Sequence, residues 1–404
     1  MMNSTIQAQA IQRTPLEAQL PVIKVIGLGG GGSNAINHMI ELGLEGVEYI
    51  AANTDQQALD RSHADVKIQM GPLLTRGLGA GGDPSIGYQA AQESILALRD
   101  ALEGADMVFL TAGMGGGTGT GSIVVAAQVA KSLGAVTVAT VSTPFSFEMG
   151  KRQKNAQDGL SKLQPFTDTL ITVPNDRLLK VAPADLTLDL AFRLADDVLR
   201  QGIQGITELI TQTGLINVNF AHVKQLMQNG GGSFLSIGQG QGENKAEQAI
   251  EQALNHPLLE QIPIESATGI IANFSGGTDL TFLEVSEVLT KLQNRTGNHV
   301  DIIPGVISDT RMNGKVQIIL VITGIGATSV DAQQFPQEIE QPQPVEQMEE
   351  MLFAKAELTK ASLSDPAPVQ FFEKRVVTDM EIASSANRDL DIPAFMRKRM
   401  VRNS

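Results

Sequence analysis

Apolar and polar positions alternate regularly over residues 21–200, where each short apolar run is followed by a stretch of helical periodicity. Strands separated by helices are typical of a parallel, doubly wound sheet whose loops gather at one edge. The pattern therefore predicts an α/β fold. The apolar runs that we interpret as strands span residues 22–26, 107–111, 136–141 and 170–173.

The second half of the chain begins with a long amphipathic stretch. Apolar residues recur at helical spacing from 189 to 211, which predicts one long helix able to bridge two domains. A second α/β region follows over about 220–328. In it, a helix predicted at 280–292 lies between strands predicted at 269–274 and 316–323.

Composition excludes several classes of protein. The chain has 404 residues, enough for two domains, and its net charge of −14 argues against nucleic acid or anionic membrane as a partner. It has no cysteine, which excludes disulfides and thiolate zinc sites. No apolar run reaches the ~18 residues of a membrane-spanning helix, and the polar N-terminus lacks the apolar core of a signal peptide. We therefore expect a cytoplasmic protein without direct membrane insertion.

The densest glycine run, residues 113–121, follows a predicted strand and precedes a helix-like segment at 122–130. A helix N-terminus leaves backbone N–H groups unpaired and carries positive partial charge, and glycine lets the backbone approach a phosphate closely. Thr118 and Thr120 add hydroxyl donors. The run therefore predicts an anion site. A flexible linker is the alternative, but linkers are rarely framed by a buried strand and an apolar helix.

A second glycine turn, residues 27–34, follows the first predicted strand and precedes a helix-like segment at 35–42. Gly27, Gly29 and Gly32 satisfy G-x-G-x-x-G, which leaves an NAD-type enzyme as an alternative. A Walker A motif is absent, because neither Gly-Lys pair of the chain is followed by Ser or Thr. Two glycine turns about eighty residues apart favour a nucleotide site that is neither Rossmann-type nor P-loop.

Both turns belong to a longer series of motifs in the same order along the chain. In these motifs the chain resembles the FtsZ branch of the tubulin/FtsZ family, over roughly residues 20–328 and a short C-terminal piece. The run 115–121 matches the family's glycine-rich motif in full. The other matching segments are residues 29–34, 53–55, 77–84, 144–148 with Arg152, and 174–180.

The resemblance implies a tubulin/FtsZ-like α/β fold with an N-terminal parallel-sheet GTP-binding domain, a long central helix and a smaller C-terminal α/β domain. Composition adds a Gln-, Glu- and Pro-rich linker after Gly326 that we expect to be disordered. The predicted boundaries are 1–20 for a disordered arm, 21–188 for the GTP-binding domain, 189–215 for the central helix, 216–328 for the C-terminal GTPase-activating and polymerisation domain, 329–388 for the linker and 389–404 for a partner-binding peptide.

The resemblance also implies a site for GTP or GDP, with Mg²⁺ beside the phosphates and no metal site built from protein ligands. Phe192 would stack on guanine, and Asn175 and Asp197 would hydrogen-bond its edge, since a carboxylate accepts from N1–H and the exocyclic amine. Glu148 and Arg152 would contact the ribose side. The phosphates would be held by Gly30, Gly31, Gly32, Ser33, Asn34, Gly115, Gly116, Gly117, Thr118 and Gly119, with Ala80, Gly81 and Gly82 at the γ-phosphate and Asn53 and Asp55 completing the site.

Several of these side chains also have a structural interpretation. Taken alone, Asp197 is more typical of a solvated acid on a helix, and Phe192 is equally compatible with a core side chain. Glu148 and Arg152 are four residues apart, which is ordinary spacing for a helix salt bridge. The match of the surrounding segments favours the functional interpretation.

The loop after the long helix departs from the family pattern Asn-x-Asp-Phe-Ala-Asp, whose two aspartates reach into the nucleotide site of the next subunit. Here the segment has Asn217, Asn219 and His222, so both acids are replaced. Since a carboxylate polarises water and binds a hard cation better than an amide does, we expect GTP binding and assembly with slow hydrolysis. Normal hydrolysis stays open as an alternative, with Asn219 orienting water or a neutral His222 accepting a proton.

The last segment resembles the family's C-terminal peptide, because residues 391–395 spell Asp-Ile-Pro-Ala-Phe and basic residues follow. Apolar anchors on a disordered tether suit a groove-binding peptide. The resemblance implies a homopolymer with longitudinal contacts that forms a division ring at midcell. It also implies membrane tethers and regulators of division as partners of the segment from Leu390 to Arg399. The alternative is a non-hydrolysing structural paralogue that co-assembles with an active FtsZ or modulates it.

Overall fold

The computed structural model describes residues 20–148, 150–180, 185–212, 214–216, 218–228, 232–259, 262–297 and 299–325. Several predictions lie outside the described residues. They are the N-terminal arm up to residue 19, the linker 329–388, the peptide 389–404 and the role of Asn217.

The strands of the described residues are β1 Ile23–Leu28, β2 Glu48–Asn53, β3 Val66–Gln69, β4 Met107–Gly113, β5 Val136–Thr143, β6 Thr169–Pro174, β7 Gly232–Gln241, β8 Gly269–Gly276, β9 Asp301–Ser308 and β10 Lys315–Ile325. They form one sheet in the order β3-β2-β1-β4-β5-β6-β7-β10-β8-β9. Neighbours from β3 to β7 run parallel. Strand β10 is antiparallel to β7 and β8, and β8 is parallel to β9.

The α-helices of the described residues flank this sheet. They are α1 Gly29–Glu41, α2 Gln56–Asp60, α3 Pro72–Thr75, α4 Pro84–Glu93, α5 Ile95–Leu102, α6 Thr118–Ser132, α7 Gly150–Leu163, α8 Asn175–Leu178, α9 Leu188–Thr211, α10 Phe220–Gln228, α11 Lys245–Leu254 and α12 Phe282–Thr296.

The strand predictions are confirmed, and each strand differs from its predicted bounds by no more than two residues at either end. The long helix is confirmed as α9, and the helix predicted at 280–292 is confirmed as α12. The two glycine turns are shorter than predicted. Helix α1 already begins at Gly29 and α6 at Thr118, so much of each glycine run forms the first helical turn.

Helix α9 packs on strands of both halves of the sheet. Its buried side chains include Val198, Ile203 and Ile206, which belong to one core cluster with residues of β1, β4 and β10. Two glycines of α9 allow close packing: a Cβ on Gly202 would lie 2.9 Å from a methyl of Leu235, and one on Gly205 would lie 3.0 Å from Ile319. The domain boundaries on either side of this helix stay predictions. No helix among the described residues is long and apolar enough to cross a membrane.

The sheet has a topological switch point between β1 and β4. The strands that follow β1 in sequence lie on one side of it, and those that follow β4 lie on the other. The connections from these two neighbours therefore leave in opposite directions and open a crevice at the carboxyl edge of the sheet. Both glycine runs follow these two strands, so the fold brings them to one crevice.

Candidate functional site

Two helix N-termini meet at the crevice between β1 and β4. Helix α1 starts directly after β1, and α6 starts after the turn that follows β4. Neither helix has a side-chain hydrogen bond capping its start and neither has an acid in its first turn. Their free N–H groups and positive helix ends make this crevice suited to an anion such as a phosphate.

One set of glycines at the crevice is required by packing. A Cβ on Gly27 would lie 2.3 Å from the carbonyl oxygen of Gly32, and one on Gly32 would lie 2.5 Å from that of Thr111. A Cβ on Gly119 would lie 3.0 Å from the carbonyl oxygen of Leu28. These glycines let β1, β4 and the two helices approach one another at the base of the crevice.

A second set of glycines borders open space. A Cβ placed on Gly30, Gly81, Gly82 or Gly116 would meet no atom within 4 Å. All four belong to the predicted phosphate site. Packing within the chain does not explain glycine at Gly30 and Gly116, which have ordinary backbone angles. The four positions therefore outline a cradle of bare backbone of the kind that a phosphate group needs.

Hydroxyl groups cross-link the loops that form the cradle. The Oγ1 atoms of Thr54 and Thr118 are 2.6 Å apart, which joins the loop after β2 to the start of α6. Thr120 Oγ1 accepts a hydrogen bond from the amide of Gly115 at 2.8 Å. The carbonyl of Thr54 accepts from the amide of Gly79 at 3.2 Å. Asp55, by contrast, caps α2 by accepting from the amides at positions 57 and 58.

Buried polar atoms without partners also lie in predicted site residues. Ser33 Oγ, Asn53 Nδ2 and Asn175 Oδ1 have no hydrogen-bond partner among the described residues, although the three side chains are at most 4% exposed. Buried polar groups are normally paired, and each exception calls for an explanation. A polar ligand in the crevice would supply partners, so these residues fit a nucleotide.

An aromatic cluster follows β5 beside the crevice. Phe145 stacks on Phe147 with ring centroids 5.2 Å apart, and Phe192 meets Phe145 edge-on at 5.4 Å. Glu148 accepts a hydrogen bond from the amide of Phe145 at 2.9 Å and forms an ion pair with Arg152. The salt bridge expected from the spacing is thus present. Phe192 remains 41% exposed, which leaves a ring face available for stacking.

Two adjacent acids of α9, Asp196 and Asp197, differ in their contacts. Asp197 Oδ1 accepts from Arg200 Nε at 2.7 Å and its Oδ2 accepts from Gln201 at 2.6 Å, so this carboxylate is already satisfied. Asp196 has no hydrogen-bond or ion-pair partner among the described residues, and burial raises its pKa to about 7. Because Asp196 is four residues after Phe192, the two side chains share one face of the helix. Sequence reasoning selected Asp197, whose role stays a prediction, and did not single out Asp196, whose partly buried position only the fold reveals.

The altered loop lies at the opposite edge of the sheet. Helix α9 has 24 residues and so spans roughly 36 Å from the crevice end to the loop. The carbonyl of Met227, near the end of α10, accepts from Thr169 at the start of β6, which places α10 at the amino edge. Asn219 and His222 therefore lie far from the crevice of their own molecule.

The side chains of this loop are exposed and have modest local roles. Asn219 Oδ1 accepts from the amide of Ala221 at 2.9 Å at the start of α10. Both Asn219 and His222 line a cavity of about 440 Å³ together with Gln225 and Asp301. Among the described residues, no group of three or more His, Cys, Asp or Glu side chains could hold a metal ion.

Comparison with known proteins decides the family. Residues 22–183 match the Tubulin/FtsZ family GTPase domain, and residues 231–326 match the FtsZ family C-terminal domain. The structure of an empty FtsZ dimer from M. jannaschii is 45% identical, with a TM-score of 0.73 over 77% of this chain and 90% of that chain. The chain belongs to the tubulin/FtsZ family. A point mutant of M. jannaschii FtsZ matches equally, with 45% identity and a TM-score of 0.73 over 76% of this chain and 92% of that one.

More distant structures share the fold of this FtsZ-family chain. CetZ2 from Haloferax volcanii, described as a GTPγS-bound protofilament, is 19% identical, with a TM-score of 0.64 over 84% of this chain and 99% of that chain. The GTPase-domain match covers both glycine runs, so the NAD-type alternative is wrong. The chain is a guanine-nucleotide-binding protein of a GTPase family with an FtsZ-like, cytoskeletal function.

Proposed function

We propose that this protein binds GTP in the crevice between β1 and β4 and assembles head to tail into cytoplasmic filaments of the division ring at midcell. The observation that carries the proposal is an asymmetry between the two edges of the sheet. The carboxyl edge keeps a complete glycine cradle, whereas the loop at the amino edge has Asn219 and His222 in place of the family's two acids.

Backbone groups would hold the phosphates. The free amides at the starts of α1 and α6 are suited to the α- and β-phosphates, and the open positions Gly81 and Gly82 to the γ-phosphate. Mg²⁺ would be bound mainly by phosphate oxygens and water, as Mg²⁺ commonly is in nucleotide sites. The remaining residues proposed to surround the nucleotide are Ser33, Asn34, Asn53, Asp55, Thr118, Glu148 and Arg152.

Guanine would be bound at the start of α9. Phe192 offers an exposed ring face, and Asn175 offers a buried, unpartnered amide oxygen. We assign the carboxylate that accepts from guanine N1–H and the exocyclic amine to Asp196 in place of Asp197. Asp196 is unpaired and on the same face as Phe192, whereas Asp197 is held by Arg200 and Gln201.

Head-to-tail assembly would bring the loop of one subunit to the crevice of the next. Support comes from the placement of the crevice and the loop at opposite edges of the sheet, and from relatives described as a dimer and a protofilament. A contact between two different surfaces that does not close on itself generates a filament. Each nucleotide would then lie between the cradle of one subunit and Asn219 and His222 of its neighbour.

The altered loop would make hydrolysis slow. Asn219 uses its amide oxygen to bind the amide of Ala221, so the group left to face the neighbour is an N–H donor that cannot accept a proton from water. Losing a general base typically costs about 10²–10⁴ in rate. Filaments of this protein would therefore outlast those of a family member with both acids.

A second candidate function is a structural paralogue that binds GTP and modulates another, hydrolysing filament. The same exposed loop without acids favours this role. Its presence would slow hydrolysis of the GTP bound to the neighbouring subunit that the loop contacts. In either role, the segment from Leu390 to Arg399 would bind membrane tethers or regulators of division.

The deciding experiment measures phosphate release and filament pelleting in the same tube with GTP. We expect the wild type to pellet but release little phosphate, and the Asn219→Asp/His222→Asp variant to release it about 10²-fold faster or more. A Gln228→Asp variant adds an acid at an exposed position of the same helix that does not line the cavity beside Asn219 and His222, and it should stay slow. If the wild type releases phosphate as fast as the variant with both acids, the slow-hydrolysis proposal is wrong. Absence of pelleting by the wild type in any nucleotide would overturn homopolymer assembly and leave the paralogue role.

A further inference from the structure

Helix α7 lies directly against the phosphate loop that follows β4. The carbonyl oxygen of Arg152 is 2.8 Å from the position that a Cβ on Gly115 would take, and Gly115 has a φ of +100°. Only glycine combines this backbone conformation with so close an approach. The helix is therefore fixed relative to the loop, and so are the side chains of its first turns.

Asn155, on this part of α7, spans two loops of the site with one amide group. Its Nδ2 donates to the carbonyl oxygen of Gly115 at 3.2 Å and to that of Gly82 at 3.4 Å. An amide nitrogen carries two hydrogens, so both bonds can exist together. The side chain thus links the loop beside the open glycines 81 and 82 to the loop after β4.

The two loops differ in how firmly the rest of the chain holds them. The amide of Gly115 binds Thr120 and the amide of Met114 binds the carbonyl of Ser142, each at 2.8 Å. Gly81 and Gly82 have positive φ angles and no atom near where a Cβ would be. Their neighbours Ala80 and Asp83 pack on Gly117, but Gly81 and Gly82 themselves border open space. The bond from Asn155 therefore adds a direct link between this exposed turn and the well-anchored loop after β4.

We propose that Asn155 is a positioning residue that sets the preference of the site for GTP over GDP. The proposal rests on the nucleotide site proposed above. Both nucleotides have the α- and β-phosphates that the loop after β4 would bind, but only GTP has a phosphate for the loop at Gly81 and Gly82. By fixing the second loop relative to the first, Asn155 holds its backbone where the additional phosphate needs it.

The test compares the affinities of the full-length protein for a fluorescent GDP and a fluorescent, slowly hydrolysed GTPγS. Asn155→Ala removes both donors from a partly exposed position. Asn155→Leu keeps the approximate shape of the side chain without its donors and without adding charge near the phosphates, so it replaces the alanine variant in the test if that variant folds poorly. Gln157→Ala is the matched control, because this exposed residue is on the same helix and its side chain makes no bond to either loop. Thermal unfolding of each variant is measured alongside.

Loss of the two hydrogen bonds from Asn155 should weaken the GTPγS complex about five- to tenfold, the effect of roughly one hydrogen bond. The GDP complex should weaken less than twofold. The control should change neither, and the unfolding temperatures should agree. An unchanged ratio of the two affinities in both Asn155 variants would overturn the proposal, as would an equal loss for both nucleotides. A wild type that binds neither nucleotide would instead overturn the proposed site itself, which distinguishes the two failures.

Discussion

Phe192 and Asp196 lie one turn apart on α9, with the exposed ring of Phe192 and the unpaired carboxyl of Asp196 on the same face. Burial raises the pKa of Asp196 to about 7. A partly buried carboxyl without a partner destabilises a protein, and groups with strongly shifted pKa values concentrate at functional sites. Guanine would offer this carboxylate two N–H donors and Phe192 a flat surface, which accounts for both side chains.

Replacing Asp196 with asparagine should change the preferred base. Asn presents one acceptor and one donor, which matches the N1–H and C2 carbonyl of xanthine but not the two donors of guanine. We expect Asp196→Asn to weaken GTP binding about 10- to 100-fold, the range for bonds to a charged group, and to strengthen XTP binding. Competition titrations with the two nucleotides measure this. Asp197→Asn is the matched control. If it alone produces the switch, the guanine contact belongs to Asp197.

The pKa of Asp196 also predicts how GTP binding depends on pH. Only the ionised carboxylate accepts both guanine donors, so binding must remove its proton when the pH is below about 7. GTP affinity should therefore fall by about fivefold between pH 7 and pH 6, by about tenfold between pH 8 and pH 6, and change little above pH 8. Asp196→Asn should flatten this dependence. A wild-type affinity that is constant from pH 6 to pH 8 would contradict an ionising group in the base site.

The same carboxyl should lower stability as the pH rises. Burial raises its pKa from the ordinary value of 3.8 to about 7 in the folded protein, so the folded state favours the protonated form. Its destabilising effect is absent below about pH 4, grows between pH 4 and pH 7, and is complete above that. We expect Asp196→Asn to raise the free energy of unfolding at pH 8 by about 2–4 kcal/mol, and to have little effect at pH 4. Denaturant titrations at both pH values measure the difference.

Six of the ten described strands were predicted, because each is an apolar run next to a glycine or polar turn, as in 107–111. The other four, β2, β3, β7 and β9, were not predicted. The pattern also missed that α1 and α6 begin within the glycine runs. Glycine has low helix propensity, so nothing local marks Gly29 or Thr118 as a start, and the close packing of Gly27 and Gly32 is a tertiary contact. The pattern alone revealed that a helix follows each glycine run, but not the residue at which that helix begins.

Site side chains were harder to predict where neighbouring residues have the same chemistry. Asp196 and Asp197 are both helical acids, and only the partners of Asp197 on α9 and the burial of Asp196 distinguish them. Asn155 carries no sequence signal at all, because its role depends on two carbonyls that the fold brings to it from positions 73 and 40 residues away. Local motifs locate the crevice, and tertiary contacts assign the roles within it.

The glycines packed at the base of the crevice and the glycines that border open space should respond in opposite ways to substitution by alanine. Gly30→Ala adds a methyl group to open space on a helix, so the protein should fold with equal or higher stability and bind GTP at least tenfold more weakly. Gly32→Ala places a methyl group 2.5 Å from the carbonyl oxygen of Thr111, so it should lower the unfolding temperature markedly. Thermal unfolding and GTP titration of both variants test this. Undiminished GTP affinity in Gly30→Ala would place the phosphates elsewhere.

Hydrolysis should be recoverable by mixing two subunits that are each inactive. The wild type would have the GTP cradle but lack the acids of the loop, and a Gly30→Ala/Asn219→Asp/His222→Asp variant would have the acids but an impaired cradle. Since the loop and the crevice lie at opposite edges of one molecule, roughly the length of α9 apart, the acids of the variant can act only on the GTP of a neighbouring wild-type subunit.

At a GTP concentration that saturates the wild type but is well below the Kd of the triple variant, phosphate release is therefore expected to be much faster from the mixture than from either protein alone. It should rise with the fraction of variant before falling as GTP-bound subunits become scarce. Mixing the wild type with Gly30→Ala alone is the control and should stay slow, because that partner brings no acids. If the triple variant hydrolyses GTP on its own while the mixture adds nothing, the acids act within one molecule, and the head-to-tail arrangement is wrong. A mixture that pellets together but stays inactive would show instead that these two positions do not limit hydrolysis.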